Sequence, residues 1–88
     1  MNTIDYAKLG IEAEAFLRSS LGNYMMSRID EIIEQGKTDL VLCDPHNVQM
    51  NIDIRNDIKV CQMFKEFIDA TIADGLNAAE QLNTEDIS

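Results

Sequence analysis

The chain has 88 residues and a net charge of −9, so it is expected to form one domain whose core is thin. A chain of this size buries only ~60–65% of the surface its unfolded form exposes, and its stability is expected to lean on self-association. The acidic field sets direct nucleic-acid binding aside, because repulsion from phosphates removes the counterion-release term behind most of that affinity.

Two cysteines, Cys43 and Cys61, provide no disulfide framework and fit no zinc spacing, which points to a reducing compartment or to indifference to redox state. The N-terminal stretch lacks the pattern of a signal peptide, and no run of ~18 apolar residues could cross a bilayer. The expectation is a cytoplasmic protein with no membrane partner.

Ala, Leu, Glu, Gln, Met and Ile predominate and proline occurs once, so helix is expected nearly throughout. A first helix is predicted over 3–17, capped by Asn2 or Thr3 and weakened at Gly10 by ~1 kcal/mol relative to alanine. The hydroxyls of Ser19 and Ser20 then suit the free amides of a second helix over 21–42. Steps of three and four give that helix an inward face of Leu21, Met25, Ile29, Ile32, Gly36, Leu40 and Cys43.

The stretch CDPHN, residues 43–47, reads as a corner. Asp44 suits an N-cap, and Pro45 suits the first helical position, where its missing N–H costs nothing. The residue before a proline is pushed out of the α region, so Asp44 ends one helix and begins the next. The rival reading makes Cys43 and His46 a nucleophile and base, or metal ligands. With one histidine and one other cysteine in the chain, the partners for either role are missing.

A third helix is predicted over 45–82. Val48, Met50, Ile52 and Ile54 alternate as in a strand, but no second strand is there to pair with them, so 47–54 is read as its first turns. At 100° per residue, Met50, Ile54, Ile58, Cys61, Ile68, Ile72, Leu76 and Ala79 form one seam, with Val60, Phe64 and Phe67 on an adjoining strip. Arg55, Lys59, Gln62, Glu66 and Asp69 lie opposite. Gly75 and Ala79 mark a place where a neighbouring backbone comes close; alternatively, Gly75 ends the helix. Residues 83–88 are expected to fray.

The predicted fold class is all-α: an antiparallel hairpin of 21–42 and 45–82 with an additional N-terminal helix. The lengths, ~22, ~33 and ~55 Å, let the two shorter helices match the long one. Helix two is then placed along the first part of helix three, and helix one near its far end.

The apolar arc of helix three covers about half its circumference, more than one antiparallel neighbour needs. Either helix one folds back over it or a second copy of the chain covers it, a homodimer being the first expectation. Val60, Met63, Phe64, Phe67 and Met26 are the predicted interface residues, and methionine suits adaptable contact surfaces.

From Glu66 to Ser88 there are six acids and no base. These serve either as a solvated face or as a mimic of nucleic acid toward a basic protein. Asp30, Glu31 and Glu34 cluster on helix two, and Asp53 and Asp57 on helix three. No Glu-x-x-His pair of a helical di-metal site accompanies them, and Gly10, Gly22, Gly36 and Gly75 form no phosphate-cradling loop. No catalytic residue, metal site or cofactor is expected.

The succession GIEAEAFLRSSLGNYMMSRIDEII, then the DP corner, then FKEFIDATIADGLNAAEQL, resembles a group of small proteins of unassigned function in tailed bacteriophages and prophages. The likeness covers about residues 9–82 and lies mainly in FLRSSLGNYM, DP and the spacing of Gly75 and Ala79. Where that group carries Ser-Pro this chain has Ser19–Ser20, and where it carries tryptophan in the last helix this chain has Phe67. The resemblance implies a phage-encoded accessory or assembly protein in the bacterial cytoplasm or the virion, meeting another phage or host protein. It brings no activity with it.

Overall fold

The computed structural model describes residues 1–87, and among them every regular element is helical: α1 (Thr3–Arg18), α2 (Ser20–Leu42) and α3 (Val48–Ile87). Residues 47–54 lead into helix despite their strand-like alternation, since nothing pairs with them. α3 passes Gly75 without interruption and reaches Ile87, so 83–87 are helical where fraying was expected; Ser88 lies outside the described residues.

Each helix starts on a side chain that accepts from a free amide. At α1, Asn2 Oδ1 accepts from the Asp5 N–H at 2.9 Å, and the Asp5 carboxylate accepts from the Asn2 N–H at 3.5 Å, a reciprocal capping box. One residue, Ser19, separates α1 from α2, with φ −72° and ψ 157°. Its hydroxyl donates to the Phe16 carbonyl at 2.6 Å and accepts from the Gly22 N–H at 2.9 Å, so a single side chain closes one helix and opens the next. A Cβ at Gly22 would collide with the Phe16 carbonyl, which is why only glycine fits inside this joint.

The corner between α2 and α3 is built differently from the expectation. Asp44 Oδ1 accepts from the His46 N–H at 2.9 Å, and the Asp44 carbonyl accepts from the Asn47 N–H at 3.0 Å. The short carboxylate is thus used within a turn, as aspartate before proline favours, and is not left to cap the helix. Asn47 does that, its Oδ1 accepting from the Met50 N–H at 3.2 Å. Pro45 therefore sits in the turn, and α3 begins at Val48 instead of 45.

Burial advances by steps of three and four residues in all three helices. One stripe runs through 3, 7, 10, 14 and 17 in α1; 22, 26, 29, 33, 36, 40 and 43 along α2 and its cap; and 51, 54, 58, 61, 65, 68, 72, 75, 79 and 82 in α3, with 13, 16, 64, 71 and 78 buried or half-buried beside it. This is the seven-residue repeat of helices packed along a shared seam. The hop from 17 to 22 is five residues, which is the phase change that the break at Ser19 permits.

That hop corrects the inward face expected for α2. Gly22, Met26 and Ile33 point inward where Leu21, Met25 and Ile32 were expected, and the latter three are exposed. On α3, likewise, Gly75 replaces Leu76 and Asn51 replaces Met50 on the seam.

Along the seam, Asp30 meets Lys65, a Cβ on Gly36 would meet Ile58, and Cys43 meets Asn51, so residue numbers fall along α2 as they rise along α3. Gly10 of α1 lies against Gly75 and Thr71 of α3, backbone to backbone: a Cβ added to either glycine would stand 2.6–2.7 Å from the other's Cα. Gly75 is thus the place of close approach. Its expected companion Ala79 is half-buried, while Ala78 beside it is buried. The chain measures 63 × 26 × 16 Å, which is long, two helices wide and one helix thick.

Candidate interaction surface

The seam that joins the helices mixes small and large side chains. Gly10, Ala13, Gly22, Gly75 and Ala78 are buried there, and Met26, Ile29, Ile54, Ile58, Ile68 and Ile72 are half-buried along it. Ile33 is the one large apolar residue among the described residues that is buried. Other bulky apolar side chains, Leu21, Val60 and Phe67 among them, are exposed.

Helical phase and the grooves between helices define two broad faces. On one, Ile32 and Gly36 of α2, with the charged Arg28, Glu31, Glu34 and Asp39, share a groove with Ile54 and Asp57 of α3, and Tyr6 of α1 shares another with Asp74 and Ala78. Stepping 100° per residue from those positions puts Leu9 and Phe16 of α1, Leu21 and Met25 of α2, and Val60, Phe64 and Phe67 of α3 on this same face. On the other, Asp30, Glu34 and Lys37 of α2 share a groove with Lys65, Glu66 and Asp69 of α3.

The five expected interface residues divide accordingly. Val60 is 66% exposed, Phe67 68% and Met63 56%; the first two stand out from the apolar face, and Met63 lies at its outer edge. Phe64 is half-buried between α2 and α3. Met26 is half-buried on the α2 seam. α1 packs against 71–82 and leaves Val60 and Phe67 uncovered.

Sequence reasoning missed the share of α1 and α2 in this face. The spacing of Leu21, Met25 and Ile32 carried the signal, since it marks one side of a helix, but that side was assigned inward.

The exposed area can be set against what a compact chain shows. A folded monomer of 9.9 kDa exposes about 5,200 Å². This chain exposes 6660 Å². The excess, ~1,450 Å², goes with a shape 63 Å long and 16 Å thick. A second apolar spot lies at the corner end, where Val41, Leu42 and Val48 are exposed.

On the charged face, the Asp30 carboxylate accepts from the Lys65 ammonium at 2.6 Å. That hydrogen bond and the charge of Asp30 raise the lysine pKa above its ordinary 10.5, and Asp69 adds in the same direction. Both side chains remain partly in solvent, so the pair sets alignment more than stability.

The Cys43 thiol is 3.5 Å from the Asn51 amide nitrogen and 3.7 Å from the Asp44 carbonyl, while the His46 side chain is exposed. Asp30 is engaged by Lys65 and Glu31 by Arg28, the latter at 2.6 Å. Asp53 accepts from Gln49 at 2.9 Å. Among the described residues no group of three or more His, Cys, Asp or Glu could hold a metal ion, and no helix is long and apolar enough to cross a membrane. Comparison with protein-family models, with curated proteins and with solved structures found no match.

Proposed function

We propose that this is a non-enzymatic helical protein that works by association, with itself and with another protein, and that it is a phage-encoded accessory or assembly factor. In this reading α2 and α3 form an antiparallel hairpin, α1 lies beside the far part of α3, and the unit is a building block with too little interior to stand alone. The observation that carries it is exposure: among the described residues Ile33 is the one large apolar side chain that is buried, while Leu21, Val60 and Phe67 face water. Exposed apolar side chains gathered on one side of a molecule mark an interaction site.

Light scattering over the micromolar range tests the reading, with a dimer or larger species as the expected result. A monodisperse monomer at high micromolar concentration refutes it.

A second reading rests on the other face, where Asp30, Glu34, Glu66 and Asp69 gather beside two lysines. Here the protein inhibits a basic host protein of defence or transcription by imitating nucleic acid. Such binding weakens as salt rises, and a low-salt pull-down that recovers no basic host protein leaves it without support.

A further inference from the structure

We propose that the joint at Ser19 is a hinge with a second setting, in which α1 and α2 become one straight helix over 3–42 and α1 turns a different side toward α3. The change takes place within one chain and does not depend on association.

Three observations carry it. The first is the pattern across the joint. Followed back from Ile33, Met26 and Gly22 in steps of three and four, the inward stripe of α2 runs through Ser19 to Ala15, Ile11, Lys8 and Ile4, all within about 40° of Ile33 on a continuous helix. In the structure that side of α1 faces water: Ile11 is 69% exposed, Ile4 51%, and Ala15 is exposed too. The stripe that α1 buries instead is turned from it by about 120°. It passes through Thr3, Gly10 and Glu14, with Leu17 as its one large apolar residue. The chain therefore carries two alternative inward sides on α1, and the apolar one is in phase with α2.

The second observation is the construction of the joint. Ser19 has φ −72° and ψ 157°. Its φ is already helical, so rotation about ψ alone converts it to helix. A Cβ at Gly22 would collide with the Phe16 carbonyl in the bent form. In a straight helix these two residues are about 9 Å apart along the axis and do not meet. The demand for glycine at 22 thus belongs to the bend, while helix formation by itself prefers alanine there.

The third observation is register. Gly36 lies against Ile58 and Cys43 against Asn51. Carried back along a straight helix, that register sets Ser19 beside Gly75, Ala15 beside Ala79, and Ile11 beside Leu82. Gly75, Ala79 and Leu82 are on the α3 seam already, so α3 keeps its side and only α1 changes. With Ser19 joining 16 and 23 residues of helix, the straight form also matches the 40 residues of α3. Straightening parts Gly10 from Gly75 and withdraws the present side of α1 from the surface it shares with α3, so one chain can show two surfaces.

The test is NMR on the full chain and on Gly22→Ala, which the bend excludes and the straight helix favours. The unaltered protein is expected to show an NOE between the Gly10 and Gly75 α-protons. In Gly22→Ala that NOE should vanish and contacts from Ile11 to Leu82 and from Ala15 to Ala79 should replace it, with helicity by circular dichroism retained. Ile11→Glu separates the two settings again. It should leave the thermal midpoint of the unaltered chain within about 2 °C, since Ile11 is in water there, and lower that of Gly22→Ala by on the order of 10 °C.

Persistence of the Gly10–Gly75 contact in Gly22→Ala overturns the hinge, and so does an α1 that simply loses its helical shifts. If Gly22→Ala does not fold, relaxation dispersion on the unaltered protein decides. Exchange at the Gly10, Ser19 and Gly75 amides that Ile11→Glu quenches supports the second setting; its absence overturns it.

Discussion

Replacing Gly75 by alanine sets two terms of similar size against each other. In a helix interior, alanine is favoured over glycine by about 1 kcal/mol. Against this, the new methyl would stand 2.6 Å from the Cα of Gly10 and 3.1 Å from its nitrogen, roughly 1 Å inside normal contact. The obstructing atoms are backbone, so no side chain can swing aside, and α1 must lift from α3 along the stretch that buries Ala13 and Ala78. Overpacking of this kind costs typically 1–3 kcal/mol, and the absence of any yielding atom puts it at the upper end. The net expectation is a loss of about 1–2 kcal/mol, which lowers the thermal midpoint by on the order of 10 °C in a chain this short.

Gly36→Ala is the matched control. Its methyl would come as close, 2.7 Å, but to the Ile58 side chain, which can change rotamer. The same propensity gain should then leave Gly36→Ala neutral or slightly stabilising. Thermal unfolding followed by circular dichroism, at one fixed protein concentration because association contributes to the midpoint, compares the two. If Gly75→Ala is stabilised as much as Gly36→Ala, the two backbones are not in contact and the seam described above is wrong.

Asn47→Ala should cost α3 about 1 kcal/mol by removing its cap, and Asp44→Ala less, since Asp44 closes only the preceding turn; urea unfolding of the two variants checks the order. Lys65 should titrate above 10.5, and Asp30→Asn should bring its NMR titration midpoint back toward that value. Because the folded pKa is the higher one, the contribution of this pair to stability is present below 10.5 and lost as pH rises through the raised value. Self-association should tighten between low salt and ~0.5 M salt, because each chain brings a charge of −9 to an apolar contact; sedimentation at the two salt concentrations checks this, and weakening would favour a charge-driven assembly.

Where helices would form was legible from the residues, because a single proline and apolar positions every three or four residues leave little alternative. The cap at Asn2 and the break at Ser19–Ser20 were legible too, since short polar side chains beside free amides have a well-defined use. The corner was located at Asp44 and Pro45, but its capping residue was not. An aspartate before a proline can cap a helix or close a turn, and only the bond to the His46 N–H decides between them.

Which side of each helix faces inward was the harder matter, and the failures share one cause. Two apolar stripes run side by side, and only one can face inward. Leu21, Met25 and Ile32 stand one position before Gly22, Met26 and Ile33, and Leu76 stands one after Gly75, while Ile29, Ile54, Ile58, Ile68 and Ile72 lie inward as expected. Such an arrangement is unfavourable for a chain that must fold alone, because each seam buries little apolar surface while Val60 and Phe67 stay hydrated. At Gly10 and Gly75 the two backbones meet directly, and this close approach sets the level of α1 beside α3. Lifting α1 off Gly75 would tilt Leu9 and Phe16 out of the plane shared with Phe67, so Gly75→Ala should weaken association as well as folding.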